Sequence, residues 1–116
     1  MGRLEEFEAF RQEMNEKILA EGNLDTKRFW NLDSHVYENG RLDSQTKEMM
    51  GLVASLVLRC DDCVTYHMIQ CRDQGVDRPM FYEIFNVALV VGGSITIPHV
   101  RRAVALLDEI EAKGKH

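Results

Sequence analysis

The sequence predicts an all-α fold. Apolar residues recur at three- and four-residue steps along most of the chain. No segment sustains the two-residue alternation of a half-buried strand. Glycines and prolines fall between the periodic segments, where helices stop and start. A length of 116 residues suits one compact domain spanning 1–116, without internal repeat or low-complexity segment. Small helical subunits of this size often complete their core by oligomerising.

Leu4, Phe7, Phe10, Met14 and Ile18 define a first amphipathic helix that stops near Gly22. A shorter helix starts after Asp25 and carries Phe29, Trp30 and Leu32, ahead of a turn at Asn39-Gly40. Asp43 or Ser44 caps a third helix, because either side-chain oxygen can accept a free first-turn amide. Met49, Leu52, Val53, Leu56 and Val57 make that helix apolar on most sides and predict a core position. LVLRCDDCVTYHMIQC (Leu56 to Cys71) continues as helix to a stop at Gly75. Asp77-Arg78-Pro79 starts a helix with Phe81, Ile84, Phe85, Ala88 and Leu89 on its apolar face, ended by Gly92-Gly93. Pro98 opens the last helix, with Val100, Ala103, Val104, Leu107 and Ile110 inward. Val87 to Val91 and Ser94 to Ile97 are β-prone, but the first completes a helical period and the second is short.

Composition excludes several function classes. The net charge is −5, and Lys and Arg are scattered, so no basic stripe supports nucleic-acid binding. No apolar run approaches the roughly 20 residues of a membrane span. MGRLEEFEAF has acids where a signal peptide has a basic and then an apolar segment, so a cytoplasmic location is expected. Thiols stay reduced there, which favours a catalytic or metal-binding CxxC over a structural disulfide. Gly92-Gly93 lacks the strand and spaced glycines of a phosphate loop and is read as a helix stop.

The chemistry concentrates around the cysteines. Cys60, Cys63 and His67 stand at i, i+3 and i+7, on one helical face. A helix start near Cys60 would favour thiolates there, while Asp61 and Asp62 would oppose them. Glu48 lies twelve residues before Cys60, about 120° away on an unbroken helix. A break near Arg59 is needed to bring the two together. The residues alone leave three readings: a redox pair, a metal clip, or buried inert thiols. A zinc site wants four ligands, and Cys60, Cys63, His67 with an acid or His99 is the candidate set. Glu48 is either a first-turn acid favoured by the helix dipole or a proton-transfer group. Cys71, about 80° round the helix from Cys63, is expected to be a small buried apolar residue. Asp61 and Asp62 read as solvated first-turn acids, and His99 as a structural first-turn histidine. Phe29, Trp30, Tyr37, Tyr66, Phe81, Tyr82 and Phe85 could line an apolar substrate pocket, but most aromatics in a small helical domain are core or subunit interface, and none is assigned to binding.

Glu48, Cys60, Cys63 and His67 match an E-x11-C-x2-C-x3-H pattern, set in LDSQTKEMMGLVASLVLRCDDCVTYHM and followed by Gly75 and a helix ending in VGG. In this the chain resembles the alkylhydroperoxidase D-like, carboxymuconolactone decarboxylase-like superfamily, over about 42–110. The resemblance implies an all-helical subunit assembling into trimers or hexamers. It implies a peroxiredoxin-type thiol peroxidase or disulfide oxidoreductase, with Cys63 the peroxidatic nucleophile and Cys60 the resolving thiol. Glu48 and His67 would form the proton relay. The substrate would be a hydroperoxide, electrons would come from a partner dithiol protein, and no cofactor would be needed.

Two departures bear on this. The family's peroxidase has a histidine directly before the second cysteine, where this chain has Asp62, a weaker base that repels a thiolate. His99 is the candidate replacement imidazole. The decarboxylase branch generally lacks the CxxC, so the pair here favours redox chemistry. The alternatives are a cofactor-free lyase using Glu48 and His67, and a non-enzymatic metal-binding or assembly module.

Overall fold

The computed structural model describes residues 2–114. Six α-helices and one 3-10 turn carry the described chain, with no strand among these residues, as the apolar periodicity predicts. The helices are α1 (Arg3–Glu21), α2 (Leu24–Val36), α3 (Ser44–Val57), α4 (Asp61–Asp73), α5 (Arg78–Gly92) and α6 (Ile97–Lys113). The β-prone Ser94–Thr96 segment forms the 3-10 turn between α5 and α6.

Local chemistry sets the helix limits. Asn23 begins α2 by accepting the Thr26 amide, slightly earlier than the expected start after Asp25. Asp43 caps α3 through the Thr46 amide at 2.8 Å, and Asp77 caps α5 through the Met80 amide at 3.0 Å. Gly75, at φ 91°, closes α4 in a Schellman turn. The Val76 amide reaches the Cys71 carbonyl and the Gly75 amide the Arg72 carbonyl.

The core lies where α3 packs against α4 and α5, and α4 against α6. Leu52, Leu56, Met68, Phe81, Phe85, Leu106 and Leu107 are its largest fully enclosed side chains. Each such aliphatic or aromatic side chain contributes roughly 1.5–3 kcal/mol through burial. Arg78 ties the start of α5 to α6 through Glu111, at 2.8 Å, and through Asp108.

One expectation needs correction. The apolar residues of α3 do not all face the core, because Met50 is 56% exposed. Leu58, at the end of the same helix, is 76% exposed. With Val87, Val90 and Val91 of α5 they leave an open apolar surface. The apolar face of α1 is largely open. Leu4 is its one buried residue, α2 has none, and Phe10 is 66% exposed. Leu4 anchors α1 on α6, where its amide donates to Glu109 at 3.4 Å. The rest of α1 forms the wall of a cleft.

Candidate active site

The break required between Glu48 and the cysteines is present, at Arg59. Arg59 has φ 60°, in the left-handed region. Around it the Arg59 amide bonds the Leu56 carbonyl and the Cys60 amide bonds the Ser55 carbonyl. These are the two bonds of a Schellman turn, with arginine where glycine is usual. α3 therefore ends at Val57, three residues before Cys60, and Cys60 becomes the N-cap of α4. Its sulfur accepts the Cys63 amide at 3.2 Å. Cys60 and Cys63 are joined as a disulfide, with Cα atoms 5.2 Å apart.

Because α3 and α4 fold back on one another, Glu48 meets His67. Glu48 Oε1 lies 2.8 Å from His67 Nδ1, with the side chains only 6% and 12% exposed. An ionised Glu48 accepts the Nδ1 proton, which leaves the lone pair of a neutral imidazole on Nε2. His67 follows Cys63 by one turn of α4, on the same face. Glu48 is thus neither an exposed helix-end acid nor a distant one.

Three residues not assigned to the site from the sequence shape this pair. Gly51, one turn after Glu48, makes room for the imidazole. A methyl group there would stand 2.7–2.9 Å from three His67 ring atoms. Tyr37 and Tyr66 flank the ring, with centroids at 5.4 and 5.1 Å. Burial and then the charge of Glu48 push both phenols up from their ordinary range. Ser44 holds Tyr37 in place, its hydroxyl donating to the Tyr37 carbonyl at 2.7 Å. The guanidinium of Arg11 lies 4.4 Å above the Tyr66 ring, a cation–π contact that brings α1 to the site.

A cleft of about 620 Å³ opens beside the disulfide. Cys63, His67, Tyr37 and Tyr66 line one side, and Phe7, Phe10, Arg11 and Met14 of α1 the other. The reading of these tyrosines as core or interface is therefore corrected. Phe81 and Phe85 are core, as expected, with ring centroids 6.2 Å apart.

Among the described residues no hydrogen bond or ion pair joins the remaining candidates to the Glu48–His67 pair. Asp62 is exposed and lines the cleft. His99 does not join Asp62. Its Nδ1 lies 2.8 Å from Asp61 Oδ1, and Arg102 stands 3.4 Å from Asp61 Oδ2. Asp61 is accordingly an ion-paired residue rather than a simply solvated acid. Cys71 is a free, fully buried thiol, as its helical position predicts. Burial, and secondarily Glu48, push its pKa up to about 12.

Known proteins share this fold. Two crystal structures of one Thermotoga maritima protein superpose with TM-scores of 0.91 and 0.90 at 55% identity. They cover 95% of this chain and 96% and 93% of theirs. That protein is a carboxymuconolactone decarboxylase family member suggested to take part in an antioxidative response. An uncharacterized protein of the cox locus of Paracoccus denitrificans is 29% identical over 83 residues, 72% of this chain and 75% of its own length. The family model for carboxymuconolactone decarboxylases matches residues 26–106, from α2 into α6, and so takes in Glu48, both cysteines of the disulfide and His67. By that match and by its fold, the chain belongs to the carboxymuconolactone decarboxylase family.

Proposed function

We propose that the protein is a thiol peroxidase that cycles Cys60 and Cys63 between dithiol and disulfide. The observation that carries this reading is the Cys60–Cys63 disulfide opening on a cleft beside the buried Glu48–His67 pair. The suggested antioxidative role of the Thermotoga maritima relative agrees with it.

The cycle balances as follows. Neutral His67 takes the proton of the Cys63 thiol, and the thiolate attacks one peroxide oxygen; an S–O bond forms and the O–O bond breaks. His67, protonated and held by Glu48, gives a proton to the departing alkoxide, so an alcohol leaves. Cys60 then attacks the Cys63 sulfenic acid, forming the S–S bond and releasing water. A dithiol donor returns two electrons and two protons. Asp62 stands where the family's peroxidase has a histidine, so a single imidazole carries the proton and turnover is slower. No organic cofactor takes part, and the chemistry fits a cytoplasmic protein with access to reduced dithiols.

The open apolar surface of Met50, Leu58, Val87, Val90 and Val91 is where copies of the chain meet, as trimers or hexamers. Among the described residues no helix is long and apolar enough to cross a membrane.

Glu48 and His67 alone would also suit a cofactor-free lyase, a reading that leaves the disulfide without a role. The separating experiment is hydroperoxide consumption by Cys63→Ser with a dithiol donor. Loss of consumption is expected; a wild-type rate would overturn the proposal, and lyase activity surviving removal of both cysteines would replace it.

A further inference from the structure

The two sulfurs of the disulfide are not equivalent, and the difference bears on how the oxidised protein is reduced. Building on the thiol-peroxidase reading, we propose that the reducing thiol attacks Cys63 and that Cys60 departs as the thiolate. Cys63 therefore receives both the peroxide and the reductant, and Cys60 never bonds to either.

Access favours attack at Cys63. It is exposed and lines the cleft, whereas Cys60 is half-buried at the junction of α3 and α4 and does not line it. A reductant entering the cleft meets Cys63 first.

The environment of the leaving sulfur points the same way. Exchange is faster when the departing thiol is the better-stabilised thiolate. Cys60 Sγ already accepts the Cys63 amide at 3.2 Å, a bond that strengthens when the sulfur becomes negative. As N-cap it also faces the positive end of α4. The neighbouring Asp61 carboxylate would oppose a thiolate, but His99 at 2.8 Å and Arg102 at 3.4 Å hold its two oxygens and offset its charge. Asp62, next to Cys63, has no such partner among the described residues. The acid beside Cys60 is ion-paired and the acid beside Cys63 is not, and in the oxidised protein His67 has already given its proton to the alkoxide, so the bond's electron pair goes to Cys60.

The electrons balance. The donor thiolate forms an S–S bond to Cys63 while the Cys60–Cys63 bond breaks toward Cys60. The donor's second thiolate then attacks the donor sulfur of that mixed disulfide. The donor leaves as a disulfide and Cys63 as a thiolate.

A monothiol stops the sequence at the mixed disulfide and reads the direction of attack. The oxidised wild-type protein is mixed with glutathione, quenched in acid within seconds, alkylated, and digested. Fragmentation mass spectrometry of the peptide spanning Cys60 to Arg72 locates the glutathione adduct. At least a tenfold excess on Cys63, with Cys60 alkylated, is expected. Equal adducts or an excess on Cys60 would overturn the inference. The oxidised protein is prepared by adding a hydroperoxide to the dithiol form. Failure of that step overturns the peroxidase reading itself, and the inference with it, and is thereby distinguished from an adduct on the wrong sulfur.

Discussion

Glu48 on α3 and His67 on α4 are nineteen residues apart in sequence and joined through a 2.8 Å contact between Oε1 and Nδ1. The contact exists because the chain reverses at Arg59, and it fixes which imidazole nitrogen faces the cleft. Glu48→Gln keeps the size and removes the charge that supports a protonated His67. Hydroperoxide reduction is expected to fall about 10²-fold, the usual contribution of a positioned acid–base group, with helical circular dichroism retained. A rate within twofold of wild type would contradict the relay.

Gly51 tests the same pair from the other side. A methyl group at this position meets the His67 ring at 2.7–2.9 Å, so Gly51→Ala displaces the imidazole or the helix. Activity should fall about 10-fold or more, as misplacement by a fraction of an ångström commonly does. In a His67→Ala background the clash is gone. There the same change should stabilise the fold by roughly 0.5–1 kcal/mol, the helix preference of alanine over glycine. Denaturant unfolding of the four proteins gives the coupling directly.

Cys71 should be silent. Its thiol is pushed up to about 12, first by burial and then by the negative Glu48. A thiol reacts as its thiolate, so raising the pKa moves reactivity to higher pH. With the disulfide reduced, iodoacetamide at pH 8 should modify Cys63 and Cys60 while Cys71 reacts only after unfolding. Rapid native modification of Cys71 would show that the core around it opens.

Arg59 occupies a conformation that costs a side-chain-bearing residue roughly 1–2 kcal/mol. Arg59→Gly should therefore stabilise the folded protein by about 1 kcal/mol after the extra freedom of glycine in the unfolded chain is counted. The measurement is the urea midpoint. A lower midpoint would mean that the arginine side chain itself holds the turn.

Much of the fold was legible because its signals are local. Asp43, Asp77, Gly22 and Gly75 each mark a helix end through bonds within a few residues, and the structure puts the ends there. The spacing of Cys60, Cys63 and His67 placed them on one face for the same reason. A break near Arg59 was legible only from the Glu48–Cys60 spacing, because no glycine announces the turn. Gly51 and Tyr37 escaped notice because their roles depend on how closely α3, α4 and the end of α2 approach, which no periodicity encodes. The Asp61–His99 contact spans 38 residues and depends on α6 lying against the start of α4. The open face of α3 looked like a core face because an apolar stripe reads the same whatever covers it. Tyr66 was the one legible omission, since it adjoins His67 in the sequence.

The central claim is that Cys60 and Cys63 act together on a peroxide, and thiol titration of the native protein tests it most directly. The fully reduced protein is assayed for free thiols under denaturing conditions, before and after one equivalent of an alkyl hydroperoxide. The account predicts a fall from three thiols to one, with an intramolecular Cys60–Cys63 disulfide and a free Cys71 in the product. Three thiols unchanged after the peroxide is added, or a single thiol lost to overoxidation without a disulfide, would contradict it.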